Sequence, residues 1–185
     1  FVYQAIGGAP KGVAGYSMDA AGVLTALPGS PYFTASDFFG LAVAPDGKHL
    51  YATESNAIRP FSIAADGTLT AMPAHVLVGV GLIQFAPDGK HLIASTGGGA
   101  PQLQSFSVAA DGALAAAGGP VGVGSTDMGF FSVAPDGKHV YASDYNGDTL
   151  GGSQYSVNTY AIATDGSLSF VNATATGIRR SRSVS

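Results

Sequence analysis

The chain has 185 residues, 46% of them hydrophobic and 11% charged, and it contains no cysteine and no tryptophan. Such a chain can bury a core without disulfides or zinc–thiolate sites. Its net charge of −4 argues against a nucleic-acid-binding surface, because such surfaces need clustered cations to displace counterions from phosphates. No apolar run reaches the roughly 18 to 20 residues needed to cross a bilayer. Abundant glycine and a single glutamate predict few helices.

The first predicted elements belong to an incomplete repeat unit. Residues 1–5 match the strand pattern that recurs at residues 139–142, and residues 18–25 carry a degenerate turn around Asp19 and Gly22. The inner strand and the turn that precede this pattern in later units do not occur here. We therefore expect the chain to begin within a unit.

The next unit contains both motifs that define the repeat. The first, APDGKHL at residues 44–50, returns at 86–92 and 134–140, and the second, IAADGTLT at 63–70, returns at 108–115 and 162–169. Successive copies of the first motif are 42 and 48 residues apart, and those of the second, counted from Gly22, are 45, 45 and 54 residues apart. A period of about 40 to 50 residues is typical of a four-stranded propeller blade.

Each Asp-Gly pair lies between short alternating or aromatic runs, which is the signature of a β-hairpin. In the second unit we predict strands a to d near residues 39–43, 50–54, 60–63 and 68–72, with turns at 45–48 and 65–67. The fold class is therefore all-β, a β-propeller of four-stranded antiparallel blades with about four blades present. The blade units run roughly over residues 1–27, 38–72, 82–117 and 129–172.

The double signature, APDGKHLYATES followed by PFSIAADGTLT, resembles the blades of the lactonase-type β-propellers. This family groups 6-phosphogluconolactonase-like and carboxymuconate cyclase-like proteins and is related to the YVTN-repeat propellers. The resemblance extends from about Val2 to Val171. It implies chemistry on a small lactone, and it implies a ring that typically has seven blades where this chain supplies about four.

The two ends of the chain complement each other. Residues 178–185 align with an inner strand, so this C-terminal strand is predicted to complete the first blade. Three arrangements fit: a four-bladed ring closed by its own ends, an eight-bladed ring made by a homodimer, and part of a larger propeller. Closing a ring removes exposed sheet edges, which otherwise promote aggregation.

The charged residues divide into repeated and non-repeated sets. The repeated Asp, Lys and His of the turns are interpreted as structural, because they recur at equivalent positions and an aspartate caps its own turn. The non-repeated charged residues fall in or beside the loops that join strand b to c and strand d to the next a, which emerge on one face. They are Lys11, Asp37, Glu54, Arg59, His75, Asp127, Asp144 and Asp148.

Glu54, Arg59 and His75 are the candidate catalytic residues on this loop face. A carboxylate and an imidazole can exchange protons with a lactone or muconate, while an arginine can clamp the acid group of the substrate. The alternatives are a surface ion pair between Glu54 and Arg59, which stabilises little, and a solvated loop histidine.

The last unit contains a candidate metal site. Asp144, Asn146 and Asp148 place oxygen ligands at the alternating positions that begin a calcium loop. However, position six is Thr149 and position twelve is Tyr155, where such a loop has Gly and Glu. The alternative is a plain Asn-Gly turn, so no cofactor is predicted to be required and Ca²⁺ is a candidate only.

Two functional hypotheses follow. One is hydrolysis or cyclisation of a small acidic lactone on the loop face, and the other is a non-catalytic scaffold that binds a ligand or a protein. The expected partners are a small acidic molecule or a protein, with no nucleic acid. The absence of cysteine and the first residue, Phe1, favour an exported or periplasmic protein over a cytoplasmic one, with a leader or a longer N-terminal region removed.

Overall fold

The computed structural model confirms the all-β prediction, and its strands form four antiparallel sheets. We number these sheets blades 1 to 4 in chain order. The structure describes residues 1–7, 11–33, 40–54, 56–76, 79–97, 100–124, 128–146 and 154–179. Within these ranges it contains no helix that is long and apolar enough to cross a membrane.

Each blade is built from consecutive strands of the chain. The strands of blade 1 are β1 (Val2–Ile6), β2 (Gly12–Met18), β3 (Leu24–Ala26) and β4 (Tyr32–Phe33). The strands of blade 2 are β5 (Gly40–Val43), β6 (His49–Glu54), β7 (Ala57–Ile63), β8 (Leu69–Ala71) and β9 (His75–Val76). The strands of blade 3 are β10 (Ile83–Phe85), β11 (His91–Thr96), β12 (Gln102–Val108), β13 (Leu114–Ala116) and β14 (Val121–Gly122). The strands of blade 4 are β15 (Met128–Val133), β16 (His139–Asn146), β17 (Gln154–Ile162) and β18 (Leu168–Arg179).

The strand order matches the predicted blade. Blades 2, 3 and 4 run from strand a to strand d in the orders β5-β6-β7-β8, β10-β11-β12-β13 and β15-β16-β17-β18. Strand c of blade 2 begins three residues earlier than predicted, because Ala57 to Arg59 continue the ladder to β6. Strand d is divided in the first three blades: β4, β9 and β14 pair with strand c beyond β3, β8 and β13. Each of these blades therefore extends past its predicted end.

The repeated aspartates cap their turns, as predicted. Asp46 Oδ1 accepts a hydrogen bond of 2.8 Å from the Lys48 amide, and Asp66 Oδ1 accepts one of 3.0 Å from the Thr68 amide. The same contact recurs at Asp88, Asp111, Asp136 and Asp165. These side chains are therefore part of the hairpins.

Three apolar clusters, which we call seams 1–2, 2–3 and 3–4, join successive blades. Seam 1–2 contains Val13, Leu50, Ala52, Phe61 and Leu69. Seam 2–3 contains Tyr51, Ile58, Leu92, Ala94 and Phe106. Seam 3–4 contains Ile93, Leu103, Val140, Ala142 and Tyr160. Because side chains alternate along a strand, Leu50 and Ala52 face blade 1 while Tyr51 faces blade 3.

The last described residues of the chain belong to blade 4. Arg179, the last residue of β18, pairs with Gln154 of β17. Residues 178 and 179 of the predicted C-terminal strand thus continue blade 4, and residues 180–185 lie outside the described part of the chain. Blade 1 begins with β1, at the position of strand b, as its sequence predicts.

Candidate functional site

Glu54 and Arg59 lie at the junction of strands b and c in blade 2. In the ladder between β6 and β7, Glu54 pairs with Ala57 and Ala52 pairs with Arg59. Directly paired residues share a face of the sheet, as do residues two apart along a strand. Glu54 and Arg59 are therefore on the same face as Ala52, which packs in seam 1–2.

The two side chains form a bidentate ion pair. Arg59 Nε donates a short hydrogen bond to Glu54 Oε1, and Nη2 donates to Oε2 at 3.2 Å. The Glu54 side chain is 7% exposed, whereas that of Arg59 is 28% exposed. This geometry holds a carboxylate inside the seam and fixes a guanidinium, which has five N–H donors in all, at the border with solvent.

Arg59 is a charged residue at a position of strand c where blades 3 and 4 have a neutral residue. The corresponding residues in strand c are Gln104 in blade 3 and Asn158 in blade 4, and both are buried. The Gln104 amide donates to the carbonyls of Ser105 and Gly118 at 2.9 and 3.0 Å, and that of Asn158 donates to the Val123 carbonyl. At this position of strand c, a neutral amide is therefore buried with hydrogen bonds to backbone carbonyls and needs no charged partner. Alignment of the repeats is the sequence signal that singles out Arg59.

The structure separates His75 from this pair. His75 lies in β9 directly opposite Ile58, the residue before Arg59. It therefore lies on the opposite face of blade 2, where its ring contacts Phe106 edge-on with the ring centroids 5.0 Å apart. The half-buried imidazole packs in seam 2–3, so Glu54 and Arg59 are brought together without it.

The predicted calcium ligands lie partly within the described chain. Asp144 and Asn146 are in β16, where they pair with Ser156 and Gln154 of β17. The ladder thus continues through both positions. Asp148 lies outside the described residues, as do Asp37 and Asp127. Among the described residues, no three His, Cys, Asp or Glu side chains are grouped to hold a metal ion.

Two of the three repeated histidines, His49 and His91, join one blade to the next, as part of a contact that we call the ring–glycine joint. An aromatic side chain at the start of strand b, or directly before it in blade 1, packs against the turn glycine between strands c and d of the following blade. Its three examples are Phe1 on Gly67, His49 on Gly112 and His91 on Gly166. The structural role predicted for His49 and His91 is confirmed, but the glycine partner of each ring lies far away in sequence.

A tyrosine two residues further along strand b reinforces two of these joints. The Tyr3 hydroxyl donates to the Gly67 carbonyl at 2.7 Å, and that of Tyr51 donates to the Gly112 carbonyl at 2.9 Å. Burial, helped by the charges of Asp46 and Asp111, raises the pKa of Tyr51 to about 12. The hydroxyl therefore stays protonated and can serve as a permanent donor.

No protein-family model matches the sequence, and neither does any curated protein. The solved structures do provide matches. A proposed 6-phosphogluconolactonase of Bacteroides uniformis is 22% identical with a TM-score of 0.70, over 90% of this chain and 52% of that one. The periplasmic gluconolactonase PpgL of Pseudomonas aeruginosa is 21% identical with a TM-score of 0.67, over 91% and 49%. A functionally unknown protein of Desulfotomaculum acetoxidans is 21% identical with a TM-score of 0.73, over 91% and 50%.

The chain has the fold of the lactonase-type β-propellers. It spans about half the length of the solved structures that it matches. At identities near 20% the similarity concerns the fold, so the four blades correspond to part of a propeller of that kind. What the propeller binds depends on its own side chains.

Proposed function

We propose that this propeller binds and hydrolyses a small acidic lactone on its loop face, with Arg59 as the anion-binding residue and Glu54 as the proton-transfer residue. The observation that carries the proposal is the bidentate Glu54–Arg59 pair, which occupies a position where blades 3 and 4 have a buried amide. The relatives whose names mention gluconolactones provide a second, weaker reason for choosing a lactone.

Arg59 suits the acid group of such a substrate. Its contacts with Glu54 use Nε and one Nη2 hydrogen, so other N–H donors remain for a carboxylate or phosphate. Because Glu54 already orders the guanidinium, less rotamer entropy is lost when the ligand binds.

Glu54 would act on the water that opens the ring. In this step the water oxygen attacks the lactone carbonyl carbon while the carboxylate accepts a water proton. The bond between the acyl carbon and the ring oxygen then breaks, and the proton passes to the leaving alkoxide to give the hydroxy acid. Such proton transfer typically contributes about a hundred- to ten-thousand-fold to the rate.

The test is hydrolysis of a panel of phosphorylated and carboxylated sugar lactones, compared with spontaneous opening in the same buffer. Arg59→Gln, which introduces the amide found at the corresponding position of blade 3, should mainly raise KM. Glu54→Gln should lower kcat about a hundred-fold or more. His75→Ala is the matched control, because the imidazole lies on the opposite face of blade 2, and it should leave kcat and KM unchanged.

A double variant separates loss of chemistry from loss of folding. Glu54→Thr/Arg59→Gln gives blade 2 the neutral residues that blade 3 has at Thr96 and Gln104, so it should fold without a buried unpaired charge. It should be inactive while melting near the parent temperature. Activity retained in this variant, or parent rates equal to the spontaneous rate across the panel, would overturn the proposal and favour the scaffold hypothesis.

A further inference from the structure

A cavity of about 510 Å³ opens on the turn face of the propeller, opposite the loop face that carries Glu54 and Arg59. Turns of three successive blades form it, and it is lined by Asp46 of blade 2, Lys90 of blade 3 and Thr164 of blade 4. Its volume falls within the range of about 300 to 1,000 Å³ that is usual for small-molecule sites. The turn face can therefore hold a ligand independently of the proposed lactone site.

Asp46 differs from its counterparts in the contact that its outer oxygen makes. The Oδ2 atoms of Asp88 and Asp136 lie 2.7 and 3.1 Å from the Nδ1 of the histidine three residues later. In blade 2 the corresponding distance, from Asp46 Oδ2 to His49 Nδ1, is 3.7 Å, which is too long for a hydrogen bond. Asp46 Oδ1 caps the turn by accepting from the Lys48 amide. Oδ2 is therefore available to accept a hydrogen bond from a ligand in the cavity.

Lys90 places the opposite charge in the same cavity. Its backbone belongs to the turn, since its amide donates to Asp88 Oδ1 at 2.8 Å. Its ammonium group, by contrast, forms no ion pair within the ranges that the structure describes. Pro45 packs on Gly89, 3.3 Å from the position that a Cβ would take, so the turns that carry Asp46 and Lys90 are neighbours. A carboxylate and an ammonium group thus line one cavity without neutralising each other.

The rest of the lining is mostly apolar, with one added hydroxyl. Ala44 and Val108 provide apolar surface. Thr164 occupies the position of Ala65 in blade 2 and Ala110 in blade 3. The hairpin therefore forms without a hydroxyl at this position, and the threonine adds a hydrogen-bond donor to the cavity.

We propose that this cavity binds a small zwitterion with an apolar body, of the class of the free aliphatic amino acids. The ammonium group of the ligand donates to Asp46, its carboxylate accepts from Lys90 and Thr164, and its side chain packs on Ala44 and Val108. An anion alone would face the Asp46 carboxylate, and a cation alone would face the Lys90 ammonium group. An uncharged molecule would desolvate both charges without pairing them. A zwitterion pairs both.

Isothermal titration of the full chain with L-leucine, N-acetyl-L-leucine and L-leucinamide tests which charges are recognised. The acetyl group removes the ammonium charge and the amide removes the carboxylate, while the aliphatic side chain is the same in all three. Hydrogen bonds to charged groups typically change affinity about ten- to hundred-fold, so both derivatives should bind at least tenfold more weakly than L-leucine. Equal binding of all three, or no binding of leucine, valine and isoleucine at millimolar concentration, would overturn the proposal.

Single substitutions assign each charge to its residue. Asp46→Asn keeps an oxygen for the Lys48 amide, so the turn should form, and it should lower the affinity for L-leucine to near that for N-acetyl-L-leucine. Lys90→Met should lower it to near that for L-leucinamide. Asp136→Asn and Lys138→Met are the matched controls, because they make the same changes in the turn between strands a and b of blade 4, which does not line the cavity. Both controls should bind L-leucine as the parent does.

Two further variants locate the ligand. Thr164→Ala introduces the residue of blades 2 and 3, so it should keep the parent melting temperature and weaken L-leucine binding about two- to tenfold. Glu54→Thr/Arg59→Gln should bind L-leucine with the parent affinity, which separates this site from the proposed lactone site. Loss of L-leucine binding in that double variant, or equal effects of the matched controls and of Asp46→Asn and Lys90→Met, would overturn the proposal.

Discussion

Replacing Gly112 with alanine should destabilise the propeller more than the same change at Gly47. Both glycines have positive φ, +84° and +69°, so an alanine at either position adopts the left-handed conformation, which costs about 1 to 2 kcal/mol. Their surroundings differ. A Cβ on Gly112 would lie 2.5 Å from His49 Cδ2 and 2.8 Å from Nε2, whereas nothing lies within 4 Å of one on Gly47.

The magnitude follows from the ring that must move. His49 is only 7% exposed and is held in its joint beside Asp46, with 3.7 Å between Nδ1 and Oδ2. Forcing an extra methyl group into such packing typically costs about 1 to 3 kcal/mol. At roughly 2 to 4 °C per kcal/mol for a domain of this size, Gly112→Ala should melt about 2 to 12 °C below Gly47→Ala.

The assay is thermal and urea unfolding followed by circular dichroism, with His49→Ala completing a double-mutant cycle. Removing the ring relieves the collision, so His49→Ala/Gly112→Ala should be more stable than the sum of the single effects predicts, by about 1 to 3 kcal/mol. Equal destabilisation by Gly112→Ala and Gly47→Ala, with additive effects in the cycle, would refute the ring–glycine joint as a packing contact.

Two further predictions concern pH. Burial raises the pKa of Asp88, but hydrogen bonds from the Lys90 amide and from His91 outweigh it and leave the pKa lowered. The ionised Asp88 carboxylate therefore stabilises the folded state above its unfolded pKa, near pH 4. This contribution to folding stability is lost as the pH falls through the folded pKa. Asp88→Asn should weaken the fall in unfolding free energy that urea titrations measure between pH 6 and pH 2. A pH dependence equal to that of the parent would contradict this role of Asp88. Tyr51 has its pKa raised to about 12 by burial, so its contribution is complete below about pH 10 and is lost as the pH rises towards 12. Tyr51→Phe should reduce this loss of stability at alkaline pH. It should also destabilise the protein at pH 7 by roughly 1 to 2 kcal/mol, because the Gly112 carbonyl loses a buried donor. Equal unfolding curves for the parent and Tyr51→Phe would contradict a stabilising role of this hydrogen bond.

The sequence alone determines the blade, because the features that define it are local. Hairpin turns depend on an aspartate that caps its own backbone and on a glycine with positive φ, and both recur in the printed order of residues. Alternating runs on each side then specify which residues face the seams. For this reason the predicted strands of blade 2 and the structural role of the repeated aspartates and of His49 and His91 agree with the structure. The prediction was less accurate for strand d, where β9 resumes after a break that no turn motif marks.

Only the tertiary structure decided which side chains meet. Glu54, Arg59 and His75 are close in sequence, yet the strand register puts the first two on one face of blade 2 and the third on the other. A shift of one residue reverses the face of a strand, and a loop motif does not specify that register. Likewise, His49 meets Gly112 because two neighbouring blades pack together. The repeat period describes each sheet by itself, whereas contacts between sheets depend on how their faces pack against each other.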